Sequence, residues 1–384
     1  MKQFLPILSW LPDYDRSWLK GDLTAGLTVG VMLIPQGMAY SMLAGLPPIY
    51  GLYASTIPLI IYAIFGTSRQ LAVGPVAMVA LLIATGVGHI TEPGTEEFIA
   101  LAILLALMVG LIQLLLGVFR LGFMVNFLSH PVISGFTSAA ALIIGFSQLK
   151  HLLGIDLPRS SYVHEIIYQA AINIGQVNLA TVLIGLAGIA IILVVKKLNK
   201  SIPGPLLAVV LGILSVYWIQ LDQVGVRIVG EVPEGLPAFT MPYWDWFSIQ
   251  LLLPPALTIS LVGFMESIAV AKAIQARHKD YRIDANQELI GLGLANVVGS
   301  WFNSFPTVGG FSRTAVNDQA GAKTPVASMI SAVLIILTLL FLTPLFYFLP
   351  QAILASVIMV AVFGLIDFKE AIHLWKTDRT DFYM

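Results

Sequence analysis

Apolar runs of about 20 residues, the length that carries a helix across a bilayer core, repeat along this 384-residue chain between short polar or Gly/Pro-rich stretches. They predict about twelve spans, near 23–45, 48–66, 71–89, 98–118, 121–147, 178–196, 203–220, 247–274, 285–303, 306–322, 325–345 and 351–367. The stretch RSSYVHEIIYQAAINIGQV is too polar to cross and is predicted to be an amphipathic connector outside the bilayer. The opening MKQFLPILSWLPDYDRSWLKGD mixes aromatics, prolines and acids, unlike a signal peptide, and reads as a cytosolic interfacial segment.

Two runs depart from a plain helix, RQLAVGPVAMVALLIATG and SFPTVGGFSRTAVNDQAG. Each opens with β-prone residues, meets Gly74-Pro75 or Gly309-Gly310, and then turns helical, so a helix N-terminus is predicted partway across the membrane. Non-helical backbone at that depth is tolerated where it is buried in protein or lines a cavity, which predicts a binding site. The shared Val73-Gly74 and Val308-Gly309, entered from opposite faces, are the trace of an inverted repeat whose half-helices face each other at the midplane. Two weaker pairings agree: GMAYSMLA from Gly37 with GFMESIAV from Gly263, and HPVISGFTSAAALIIG with LPQAILASVIMVAVFG.

Composition sharpens the class. Hydrophobic residues make up 58% of the chain and charged ones 11%, against roughly 25% charged in soluble domains, so this is a polytopic membrane protein. A net charge of -1 gives no hint of a nucleic-acid partner, and the absence of cysteine excludes disulfides, thiolate metal sites and cysteine nucleophiles. With the N-terminus in the cytoplasm, the inner loops hold nearly all the cations, among them Arg16, Lys20, Arg69, Arg120, Lys196, Lys197, Lys200, Lys272, Arg277, Lys279, Arg282, Lys323 and Lys369, while only Lys150, Arg159 and Arg227 lie outside. The ending DFKEAIHLWKTDRTDFYM reads as the approach to a further span, so the chain is expected to be a piece of a longer protein.

One cation, Arg313, falls inside a span, one turn into the second half-helix. Two helix N-termini facing one cavity supply about one unit of positive potential, Arg313 adds a full charge, and all three favour an anion. The alternatives are an ion pair with Asp318 or snorkelling to the interface. The span LLLPPALTISLVGFMESIAVAKAIQARHK carries one acid in its apolar part, Glu266, whose charge is costly when unpaired in low dielectric and should therefore follow what occupies the cavity. That suits proton coupling; the alternative is a static pair with Arg313 that holds two helices together. Gln36 and Tyr40 could donate to a ligand, or satisfy backbone freed by a break expected at Pro35. Ser312 and Thr314 are further candidate donors, His278 is read as a solvated loop residue, and no enzyme motif or cofactor signature appears.

At ESIAVAKA, GFSRTAVN, FLTPLF and AILASVI, with IPQGMAYSMLAGLPPIYGLYAS and LAVGPVAM upstream, the sequence resembles the sulfate permease (SulP) family of anion transporters. The resemblance implies an all-α fold of two inverted seven-span repeats, core and gate domains, with the anion held between the third and tenth helices. It also implies homodimers, two further spans and a cytosolic STAS domain beyond the present C-terminus. Residue by residue, it implies Gln36 and Tyr40 on the first-helix side of the site. It puts Gly74, Pro75 and Val76 at the third-helix terminus, Gly310, Phe311, Ser312 and Arg313 at the tenth, and Glu266 as the coupling acid of the eighth. Sodium-coupled bicarbonate members resemble this segment with an aspartate and a hydroxyl residue four positions later; here that position is Val270, which argues for protons.

The expected domains are a cytosolic segment 1–22, core halves 23–118 and 247–345, and gate halves 119–246 and 346–384. The expected function is a proton-coupled sulfate symporter in a plasma or inner membrane, working by alternating access, with no cofactor or metal. Bicarbonate or C4-dicarboxylate carriage, an uncoupled exchanger and an anion channel are the alternatives.

Overall fold

A computed structural model describes residues 5–123, 130–157, 162–198, 203–278 and 281–364. The first elements in chain order are α1 (Ile7–Trp10), α2 (Trp18–Ala44), α3 (Pro48–Tyr53), α4 (Ile57–Phe65), β1 (Val73–Gly74), α5 (Ala77–Gly88) and α6 (Glu96–Val118). Then come α7 (His130–Ser147), α8 (Leu149–Leu153), α9 (Val163–Ile172), α10 (Leu179–Leu198) and α11 (Gly204–Ile219). The chain continues through α12 (Trp246–Gln275), α13 (Ala285–Ser300), β2 (Val308–Gly309), α14 (Phe311–Gln319), α15 (Val326–Phe341) and α16 (Gln351–Phe363). The fold is all-α and polytopic, and the predicted half-helices are present, each preceded by a two-residue strand. Lys2, Arg159, Lys200, Lys279, Lys369, Lys376 and Arg379, counted in the loop-charge pattern, lie outside the described residues, as does the chain end from 365.

Three expectations change. Helix α2 reaches back to Trp18, into the segment read as interfacial, and it runs unbroken through Pro35. A proline costs a helix one amide bond, and neighbouring helices within a membrane bundle absorb that loss. The run 48–66 keeps the length and apolarity of one span, Pro48–Phe65, but a turn divides it into two helices. Pro58 has no N–H to continue a helix from α3, and the Ser55 and Thr56 hydroxyls donate back to the Gly51 and Tyr53 carbonyls at 2.7 Å each, closing the turn. The polar connector forms α9, mostly exposed, with Ile166 buried.

The chain folds into two compact units, residues 1–123 with 233–343 and residues 124–232 with 344–384. In the second, α16 packs on α10 and α11, and Ser356 donates to the Gly185 carbonyl at 2.7 Å. Leu183, Leu186 and Leu193 on α10 are 60%, 56% and 51% exposed; lipid is the solvent that tolerates such a face. Arg227 grips Asp156 through two bonds of 2.7 Å, an exposed pair worth little in itself.

The first unit is held by small residues and buried polar side chains. Gly110 and Gly293 let α6 and α13 touch backbone to backbone, since a Cβ on either would meet the other helix at 2.6 Å. Asp22, fully buried in α2, accepts from the Lys323 and Thr324 amides (2.7 and 3.0 Å), the Thr324 hydroxyl (2.6 Å) and Tyr14 (3.2 Å). It thereby fixes α2 to the link between α14 and α15. Asp22→Ala removes the acceptor of two amides and two hydroxyls. The expected loss is about 2–4 kcal/mol, read as a lowered unfolding midpoint in detergent, with Asp22→Asn losing less because it keeps an oxygen.

Candidate anion site

β1 and β2 pair antiparallel, Val73 opposite Gly309 and Gly74 opposite Val308. The Gly310 amide extends the ladder by donating to the Ala72 carbonyl at 2.9 Å. From this ladder β1 leads through Pro75 and Val76 into α5, and β2 leads through Gly310 into α14. Helices α6, α12 and α13 begin under side-chain caps from Thr95, Asp245 and Asp284. Helices α5 and α14 begin at Val76 and Gly310, which have no side-chain acceptor to offer. Their first-turn amides have no partner within the helix, and each end carries about half a positive charge.

Four polar side chains hold the ladder in place. Ser267 on α12 accepts from the Gly309 amide at 2.8 Å and donates to Gly263 at 2.7 Å. Thr314 accepts from the Ala72 amide at 3.0 Å and donates to Gly310 at 2.7 Å. Asn317 donates to the Gln70 carbonyl at 2.8 Å. Asn296 on α13 accepts from the Thr307 amide at 2.7 Å and donates to its carbonyl at 2.9 Å, while a further bond reaches Gln113 on α6. All but Thr314 went unremarked in the sequence; their signal was only that each is polar within an apolar run.

Arg313 is 1% exposed, and its Nη1 donates to the Pro75 carbonyl at 2.7 Å. Its Nε and Nη2 are buried with no hydrogen-bond partner. The alternative partner Asp318 is taken by Arg277 at 3.2 Å and His278 at 2.5 Å, so His278 is engaged at the end of α12 instead of solvated. Glu266 does not form an ion pair with Arg313, and its Oε2 is buried without a partner. Tyr40, Glu266 and Arg313 nevertheless lie within electrostatic reach of one another. Gln36 is buried in α2 with its Oε1 unpartnered. Gly74, Pro75, Val76 and Gly310 are buried at the helix starts, whereas the Phe311 and Ser312 side chains are exposed and contribute first-turn amides.

Gly310 makes room for the cation. A Cβ there would stand 2.6 Å from Nη2 and 2.8 Å from Cζ of Arg313. The buried guanidinium would have to move and lose Pro75.

Apolar helices long enough to cross a membrane, with two half-helices meeting at a short ladder, define an integral polytopic membrane protein. The chain belongs to the sulfate permease family, whose sequence pattern matches residues 19–384. It is 44% identical over 386 residues to probable sulfate transporter 4.2 of Arabidopsis thaliana, covering 98% of this chain and 56% of that protein. To the sodium-independent sulfate anion transporter of Bos taurus it is 38% identical over 416 residues, covering 99% and 67%. The chain thus spans little more than half the length of the plant relative. The solved structure of SLC26A9 superposes with a TM-score of 0.92 at 28% identity, covering 99% of this chain and 63% of that one. The transmembrane domain of the cyanobacterial bicarbonate transporter BicA gives 0.85 at 24% identity, covering 96% and 94%, a likeness of fold alone.

Gly310→Ala is expected to cost on the order of 1–3 kcal/mol through overpacking. In a double-mutant cycle on thermal stability, adding Arg313→Ala should relieve that cost; strictly additive losses would show that the two residues do not touch.

Proposed function

We propose that this chain is the translocating part of a proton-coupled sulfate symporter that works by alternating access. The observation that carries the reading is Arg313, a buried guanidinium with two unpartnered nitrogens beside two uncapped helix starts. Buried unpaired donors are costly, and among the described residues these two nitrogens have no hydrogen-bond partner. The anion binds to the first-turn amides of α5 and α14 and to Arg313, with Gln36 and Tyr40 on the facing helix. The names of the plant and bovine relatives support sulfate as the substrate.

Charge bookkeeping favours a co-transported proton. Arg313 and two helix ends supply about two positive charges, which match divalent sulfate when Glu266 is protonated and fall one short when it is ionised. A monovalent anion reverses the balance, since an ionised Glu266 would then neutralise the loaded site. Bicarbonate carriage on this scaffold therefore needs no proton, which separates the runner-up from the main reading. Residues 23–118 and 247–345 form the inverted core halves, residues 119–246 and 346–384 the gate halves, and the whole protein is a homodimer with a cytoplasmic N-terminus in a plasma or inner membrane.

In proteoliposomes of the full-length protein, Arg313→Ala should abolish labelled sulfate uptake; wild-type uptake by this variant would sink the site. Glu266→Gln is expected to keep sulfate exchange and lose accumulation driven by an inward proton gradient. Undiminished pH-driven accumulation would remove Glu266 from the coupling step, and uptake indifferent to the gradient in the wild type would favour an uncoupled exchanger.

A further inference from the structure

In the first unit, residues 236–245 lead into α12 without helix or strand, yet their backbone is pinned. The Gly235 amide donates to the Leu339 carbonyl at 3.0 Å and the Thr240 amide to the Trp301 carbonyl at 2.7 Å. Asn303 donates through Nδ2 to the Ala238 carbonyl at 3.1 Å. The Phe239 ring meets Trp301 and Phe302 edge to face, with centroids 6.2 and 5.7 Å apart. Pro237 and Pro242 have no amide to satisfy. A backbone so well held could turn its large side chains inward. Instead Met241, Tyr243, Trp244, Trp246 and Phe247 are 68–76% exposed.

We propose that residues 241–247 are an anchor for the phospholipid headgroup layer, which fixes the depth of the N-terminal end of α12. Length places them there. The 30 residues of α12 make a helix of about 45 Å, against about 30 Å for the hydrocarbon core and 40–45 Å for a bilayer with its headgroups. The other end of α12 carries Lys272 and is followed by Arg277, cations that belong in the polar phase, so the first turn emerges among the opposite headgroups. Continuity supports lipid as the partner. Trp246 stands at i, i+7 and i+11 with Leu253 and Leu257, which are exposed on the same stripe of an apolar span. From Leu236 to Met265 the only charged side chain is Asp245, and it is spent on capping α12, accepting from the Ser248 amide at 3.0 Å and hydroxyl at 2.6 Å. The patch therefore needs no anionic lipid. Indole and phenol rings with one polar tip suit a layer that is apolar on one side and wet on the other.

The test uses the full-length protein in phosphatidylcholine liposomes whose acyl chains carry bromine, a quencher of indole fluorescence, either near the glycerol or near the methyl end. The signal is the fluorescence of the wild type minus that of Trp244→Phe/Trp246→Phe, which isolates these two among the 7 tryptophans of the chain. Shallow bromines are expected to quench this difference strongly, deep bromines weakly, and iodide in the water hardly at all. An unchanged unfolding midpoint in detergent certifies the variant. Should the pair lose stability, Tyr243→Trp adds a reporter at the same patch instead of removing two, and its added fluorescence should show the same order of quenching. Quenching by iodide alone would put the segment in water, and protection from all three quenchers would put it under a second copy or another protein segment; either result overturns the proposal.

Discussion

Non-helical backbone inside a bilayer must find every hydrogen bond within the protein, and the segments around Val73-Gly74 and Val308-Gly309 meet that demand by pairing with each other. A ladder this short cannot hold itself, so its neighbours are recruited. Ser267, Thr314, Asn296 and Asn317 each bind a main-chain group in or beside it, and through them α12, α13 and α14 are tied to one point. The geometry of the half-helices is therefore a property of the whole first unit.

That arrangement leaves selected polar groups unpaired. The ladder and its clamps satisfy the strand amides, yet the helix starts at Val76 and Gly310 have no cap, and Arg313 has one acceptor for its three nitrogens. Two other buried acids of the unit are fully used. Asp22 and Glu288 are both buried carboxylates, and each accepts four hydrogen bonds, Glu288 from Tyr62, the Thr67 amide and hydroxyl, and the Ser68 amide. Glu266 differs in having an oxygen with no donor. The contrast separates two acids that fasten helices from one whose carboxylate is not saturated.

Much of this was legible in the sequence. The length and spacing of apolar runs predicted an all-α membrane protein, because lipid permits few other backbone arrangements. Gly74-Pro75 and Gly309-Gly310 marked the two breaks, and a cation and an acid set within apolar sequence marked Arg313 and Glu266, since a charge at that depth is expensive enough to need a reason. The misreadings were local. Pro35 did not interrupt α2, and His278 found Asp318 instead of water; both outcomes depend on which neighbours fill the space around a residue.

By itself the sequence determined where helices run, where two of them break, and which charged groups are buried with the breaks. Only the tertiary structure decided that the broken segments pair with each other, that Gly310 yields its Cβ volume to the guanidinium, and that Asp22 and Glu288 are saturated while Glu266 is not. Composition and period report what a segment gains by leaving water. Hydrogen-bond saturation depends on atoms brought together from positions more than 200 residues apart, as with Ala72 and Thr314, and no local pattern along the chain encodes that meeting.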